Sequence, residues 1–396
     1  MVPLVTRAAK ISDRAPASHG ARKPAPAGEV RERLRSPVRV VRYYPRALVG
    51  DGGMTKSVQR WSAAMARAGA EVVIAYEEGT APPPADPLLQ WRPVPHAGRG
   101  GVRIPLGLGR LLGEGGILVL HSGWTARNAW AAAQARGAGV PYVLEPRGAY
   151  DPHILARHPG RKRIWWLLAE GRLVRRARAI HVFFEQEKSH LEAIDFHGPF
   201  VVASNGVDTP QGDAWDGGSG GYLLWLGRFD PEHKGLDVLL EAMRSLAPGE
   251  RPELRLHGPD WNDRKAVVAG MVERLGLASS VRIEPAVYGD EKRRVLVRAR
   301  GFVYPSRWDA CPNSVLESIS LGLPTLATPY PLGQYLHDRG GAFLSEVTPE
   351  SLAEGLLRLT SGEAPEVGRR GAEIARTELT WDNSARAWLE QVQALG

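Results

Sequence analysis

The chain has 396 residues, 43% of them hydrophobic, enough to bury a core in each of two domains. A formal charge of +8 and a pI near 9.7 favour anionic partners, while a single cysteine, Cys311, excludes an internal disulfide framework and a multi-cysteine zinc site. No stretch approaches the roughly 18 uncharged apolar residues that span a bilayer.

Residues 1–37 are rich in Pro, Ala, Arg and Lys and lack the apolar h-region of a signal peptide, so they read as a disordered basic leader on a cytoplasmic chain. From Val38 onward, short β-branched apolar runs alternate with amphipathic stretches. VRVVRY (38–43), EVVIAY (71–76), ILVLH (117–121), PYVLEP (141–146) and AIHVFF (179–184) read as strands, with helices over 57–69 and 126–139. This is the order of a doubly wound, Rossmann-like parallel sheet. At 209–221 the composition turns to Gly, Ser, Asp and Pro, which marks a flexible linker and a domain boundary.

A second series follows: strands at 222–227, 253–258, 281–285, 301–305 and 324–328, and helices near 235–247, 263–275 and from about Asn313. The expected fold class is therefore α/β, with an N-terminal domain over 38–208 and a C-terminal domain over 222–380. Each is a doubly wound parallel sheet, and they face one another across a cleft. A last helix, 381–396, is expected to pack back on the N-terminal domain. Ligands of such sheets bind beyond the carboxyl ends of the strands, so the chemistry is expected in the cleft.

Two C-terminal motifs carry that chemistry. In GRFDPEHKGLD (227–237) a Gly227-Arg228 turn precedes a helix start holding Lys234 and Gly235. A guanidinium fork, an ammonium and unpaired helix-start amides suit a diphosphate; a solvated charged loop is the plain alternative. In YPSRWDACPNSVLESISLGLPTLAT (304–328) Asp309 lies on a loop and Glu317 on the helix after it, with Ala310, Cys311, Pro312 and Asn313 between. Two carboxylates and loop amides can hold sugar hydroxyls, although two acids at that spacing are also common on surfaces.

These residues resemble the family 4 retaining glycosyltransferases of the GT-B fold, also called glycosyl transferases group 1. Their G-R-x5-K-G pattern is met by Gly227, Arg228, Lys234 and Gly235, their acid-x7-acid motif by Asp309 and Glu317, and their Leu-Gly-Leu-Pro turn by 321–324. The resemblance implies that Arg228 and Lys234 bind the diphosphate of a nucleotide sugar, that Glu317 holds the ribose hydroxyls, and that 309–313 cradles the transferred sugar. It implies no cofactor beyond the nucleotide-sugar co-substrate, and no metal. Asp309 stands where the family usually has Glu, one methylene shorter, and Pro312 lacks an N–H.

In the N-terminal half, Gly52 and Gly53 of VGDGGMTKSV (49–58) resemble the family's glycine loop, where backbone approaches the ligand; a tight turn before a helix would look the same. His121, in HSGWTARN, stands where the family has a His-Gly-Leu-Trp segment, which implies a hydrogen bond to the donor sugar or the acceptor. Arg147, in EPRGAYDPH, is similarly placed to contact an acceptor, a phosphate or Glu145. Asn205 to Asp208 match the Asn-Gly-Val-Asp that closes the first domain, read as a structural turn.

RHPGRKRIWWLLAEGRLVRRAR (157–178) mixes basic, aromatic and aliphatic residues. It suits either peripheral contact with an anionic membrane, such as the inner face of the plasma membrane, or a helix packing its aromatic side on the sheet with basic groups in water. No nucleic-acid module accompanies the charge. The functional expectation is a hexosyl- or N-acetylhexosaminyltransferase using a UDP-sugar, with a saccharide, glycolipid or natural-product acceptor. A non-hydrolysing sugar-nucleotide epimerase and a non-catalytic sugar-nucleotide-binding protein are the alternatives.

Overall fold

The computed structural model describes residues 37–46, 52–77, 86–99, 102–208 and 214–395. The expected leader, Val49, Gly50 and Asp51 of the glycine loop, and 209–213 of the linker lie outside the described residues, apart from Pro37.

The first half supplies β1 (Arg39–Tyr44), β2 (Glu71–Glu77), β3 (Gln90–Val94), β4 (His96–Arg99), β5 (Val102–Pro105), β6 (Ile117–His121), β7 (Tyr142–Glu145), β8 (Ala179–Val182) and β9 (Phe200–Val202). Seven of these form a parallel sheet in the order β3-β2-β1-β6-β7-β8-β9, and β4 and β5 pair as a separate antiparallel hairpin. The second half supplies β10 (Tyr222–Leu226), β11 (Glu253–His257), β12 (Val281–Glu284), β13 (Gly301–Tyr304), β14 (Thr325–Ala327) and β15 (Phe343–Leu344), in the order β12-β11-β10-β13-β14-β15. Helices cover both faces, which is why ILVLH and YLLWL are apolar almost throughout and buried at every position. In each sheet the order reverses beside the first strand, between β1 and β6 and between β10 and β13. A crevice opens at each reversal.

Several elements differ from the sequence expectation. The first helix is Gly52–Arg67, beginning five residues early, so Gly52 (φ +63°) and Gly53 form its opening turn instead of a loop before it. β3 and the β4–β5 hairpin have no apolar run to announce them; QWRPV sits at the sheet edge, where a proline is tolerated. Residues 214–221 are not a free connector. Trp215 donates its amide to Leu321 O and its indole to Ala299 O, and Asp216 caps the turn at Gly218 and Ser219.

The helix Trp381–Ala394 crosses to the first half, where Trp381, Trp388 and Leu389 join the core around Trp61. Gln391 there accepts from Val202 N and donates to Val202 O. The returning chain passes so close to Gly206 that a Cβ there would lie 2.1 Å from Trp381 N, and Val207 N donates to Leu379 O. Only glycine fits that crossing.

Candidate active site

The C-terminal wall is built at the β10/β13 crevice. After β10, Gly258 lies against Gly227 so closely that a Cβ would sit 1.6 Å from Gly227 O. The chain then reaches Gly235 (φ +64°), where a Cβ would be 1.9 Å from Pro305 O. These glycines bring the loops after β10, β11 and β13 to touching distance, and that delivers Lys234 to Asp309. Lys234 Nζ donates to Asp309 Oδ2 at 2.6 Å and to Tyr304 Oη at 2.8 Å, with Ser306 Oγ 2.9 Å from the same carboxylate oxygen. Burial works against the charge of Asp309, but Lys234 and His233 outweigh it and hold the carboxyl below its usual range.

His233, immediately before Lys234, ties the wall together. Its Nδ1 accepts from Arg228 Nη2 at 3.2 Å and its Nε2 donates to Trp308 O at 2.7 Å, an assignment that fixes the neutral tautomer. Burial first, then Lys234, pushes its pKa down to about 4. The imidazole stacks on Trp308 with ring centroids 4.6 Å apart and planes 5° from parallel. Arg228 lies over Trp261, 4.7 Å from the ring centre.

Beyond Asp309, the helix Asn313–Ser320 starts at the extended Pro312. Ala310 and Cys311 are buried beside the cleft, and burial raises the Cys311 thiol pKa well above its usual value. Asn313 reaches the opposite half. Its Nδ2 donates to Gly53 O at 3.2 Å and Ser57 Oγ at 3.0 Å, and its Oδ1 accepts from Asn205 at 3.1 Å. Glu317, one helical turn on, is ion-paired with Lys292 of the helix Gly289–Arg298 and lies outside the cavity described below.

The N-terminal wall holds a second charged cluster, built differently. Glu145, at the end of β7, is fully buried and faces Arg42 Nη2 at 2.9 Å, Arg147 Nη2 at 2.5 Å, His121 Nδ1 at 3.2 Å and His181 Nδ1 at 3.6 Å. Burial opposes its charge, and Arg147, His121 and Arg42 overcome that to keep the carboxyl well below its usual range. Burial also lowers the His121 pKa to about 4. His121 is thus turned into this cluster and is not among the residues that line the cavity described below. Arg147 (φ +52°) bridges the two environments, bound to Glu145 at one end and lining the cavity.

Between the walls lies a cavity of about 230 Å³ lined by Arg147, Asp151, Ile154 and Glu187 on one side and Arg228, His233, Trp308, Asp309 and Ala310 on the other. Arg147, Arg228 and Trp308 among the lining residues each hold a buried ring or guanidinium N–H without a hydrogen-bond partner among the described residues. The cleft is bridged at its rim: His153 stacks on the far face of Trp308 at 5.1 Å, and Arg157 pairs with Glu232 at 3.1 Å.

The sequence pattern does not mark Lys292, whereas His233 and Trp308 directly precede the motif residues Lys234 and Asp309. No cluster of three or more metal-ligating side chains occurs among the described residues.

Two doubly wound parallel sheets facing one another, with cationic loops at a strand-order reversal, define the GT-B class. Within it, residues 220–361 match the model of the glycosyl transferases group 1 and residues 52–206 match that of the glycosyl transferase 4-like domain, which together make the chain a glycosyltransferase. A glycogen synthase of Thermus thermophilus is 32% identical over 178 residues, 44% of this chain and 39% of that protein. The match therefore spans about two fifths of that curated relative's length. Sucrose-phosphate synthase from Thermosynechococcus elongatus has the same fold, with a TM-score of 0.73, 16% identity, and coverage of 90% of this chain and 99% of that one. So has HepE of Anabaena, solved with UDP and glucose, at a TM-score of 0.68 and 14% identity over 90% of this chain and 100% of that one.

Proposed function

We propose that the chain is a retaining glycosyltransferase that moves a hexosyl or N-acetylhexosaminyl group from a UDP-sugar to a saccharide, lipid-linked or small-molecule acceptor. The observation that carries this reading is the Lys234–Asp309 contact at the wall of a cavity that Arg147 and Arg228 also line. A diphosphate offers acceptor oxygens to the two guanidinium groups, and a sugar offers hydroxyls to the Asp309 carboxylate. The solved HepE complex with UDP and glucose is a structural neighbour consistent with such a donor.

In this reading Arg228 and Lys234 stabilise charge on the departing nucleoside diphosphate, the main electrostatic demand of the reaction, with no metal taking part. Lys234 shares its protons between Asp309 and the phosphate, and 309–313 cradles the sugar. Glu317 exchanges Lys292 for the ribose hydroxyls. Gly53, held against Asn313, lets backbone approach the diphosphate. The acceptor attacks on the face the leaving group departs from, its proton passing to the donor phosphate. The bridged rim limits water and hence hydrolysis.

A panel of UDP-, GDP-, ADP- and TDP-sugars tests this. Slow nucleotide release with a UDP-sugar is the expected result. Sugar interconversion without release would make the chain an epimerase instead, and binding without turnover a non-catalytic sugar-nucleotide-binding protein.

A further inference from the structure

Apart from Arg157 at the rim, the stretch 157–178 is not used by the function. It carries eight Arg and Lys residues and a single carboxylate, Glu170. The chain runs as the helix Pro159–Trp165, a wide π turn Trp166–Glu170 and the helix Gly171–Arg175.

The inward side is fixed firmly. Glu170 is fully buried and accepts from Trp124 N at 2.7 Å, Tyr150 Oη at 2.7 Å and Trp165 Nε1 at 3.0 Å. Trp166 packs near Trp124, and Leu173 and Val174 enter the core. The aromatic side therefore lies on the protein, but the aliphatic residues do not join it. Ile164, Leu167 and Leu168 are 61%, 77% and 69% exposed, whereas the other exposed large apolar side chains among the described residues stand singly along the sequence.

At helical spacing these three follow Arg161 and precede Arg172 and Arg175, an outward stripe that is apolar in the middle and cationic at both ends. Arg161, Arg163, Arg172 and Arg175 are exposed and have no carboxylate partner among the described residues. The only acid of the stretch is turned inward, so the stripe itself is without negative charge.

We propose that this stripe docks the protein on an anionic lipid bilayer, with Ile164, Leu167 and Leu168 entering the headgroup–acyl boundary and the flanking arginines pairing with lipid phosphates. A contiguous apolar patch rimmed by unpaired cations is costly in water and matched on both counts by that interface. Nucleic acid would satisfy the arginines and leave the aliphatic trio in water. A second copy of the chain, meeting through the same face, would set arginine against arginine. The segment is also tied to the cleft: Lys162 donates to Ile154 O, and Ile154 lines the cavity, so docking holds the cleft beside the membrane.

The test is sedimentation of the full chain with vesicles of phosphatidylcholine alone and with about 30% phosphatidylglycerol. Binding to the anionic vesicles only is expected. Leu167→Gln/Leu168→Gln and, separately, Arg172→Gln/Arg175→Gln are each expected to weaken it about tenfold. Both pairs are exposed, so melting temperature and nucleotide release should match wild type and exclude misfolding. The proposal is overturned if the anionic vesicles leave the protein in the supernatant, or if the leucine variant binds them as tightly as wild type. It is also overturned if wild type is a dimer without lipid and the leucine variant a monomer, which would make the face a contact between copies.

Discussion

Lys234–Asp309 in the C-terminal half and the Glu145 cluster in the N-terminal half use the same kinds of groups to different ends. Each sets a carboxylate against cations and a histidine whose pKa burial has driven down to about 4. The difference is solvent and space. Glu145, Arg42 and His121 are sealed in, with the carboxylate's partners all supplied by the protein. Asp309 is one-fifth exposed on the wall of a cavity that Arg147 and Arg228 also line. A sealed cluster can only be broken, whereas one on a cavity wall can exchange a partner for a ligand. The first is expected to govern stability and the second turnover.

Substitutions can separate the two. Lys234→Ala should lower donor turnover by about a thousandfold, the scale for removing a group that stabilises transition-state charge, and Arg228→Ala should act in the same direction. Both are read by nucleotide release, with circular dichroism to show that the fold persists. Glu145→Ala should instead cost about 3–5 kcal/mol in urea unfolding, because Arg42 is left buried without its counter-charge. A large loss of turnover from Glu145→Ala with unchanged stability would erase the distinction.

The pH dependence sharpens the same contrast. His121 and His233 have folded pKa values lowered to about 4 from an ordinary 6.5, so between those values the unfolded chain binds more protons and stability rises with pH. Melting temperature should fall as pH drops from 6.5 towards 4. Glu187, its pKa raised by burial to about 7, contributes in the opposite direction above its unfolded value. His121→Gln should flatten the acid limb and leave the donor KM unchanged; a raised KM would return His121 to the sugar. The smallest effects are expected at the rim. Trp308→Ala, which removes the stack between His233 and His153, should lower turnover about tenfold, and His153→Ala should act several-fold less.

Much of this was legible in the chain itself. The alternation of apolar runs and amphipathic stretches marks the buried strands of both sheets, because parallel strands covered on two faces must be apolar along their length. β3 and the β4–β5 hairpin carry Arg, Pro and Gly and leave no such trace. The motif residues Arg228, Lys234 and Asp309 are readable by type and spacing. That Lys234 and Asp309 bind one another, and that Glu317 binds Lys292, depends on loops brought together by Gly235 and on a helix that no local pattern places nearby. His121 shows the same limit. Its position at the carboxyl end of β6 is plain from sequence, but the side chain's direction is set by Glu145, one strand away.

The most direct measurement is UDP binding by isothermal titration calorimetry to the wild-type chain and to the Lys234→Ala and His121→Gln variants, each checked for its fold. Binding by wild type and His121→Gln, with loss in Lys234→Ala, is the expected result. Retained binding in Lys234→Ala together with loss in His121→Gln would place the donor diphosphate on the wrong wall of the cleft and contradict the assignment.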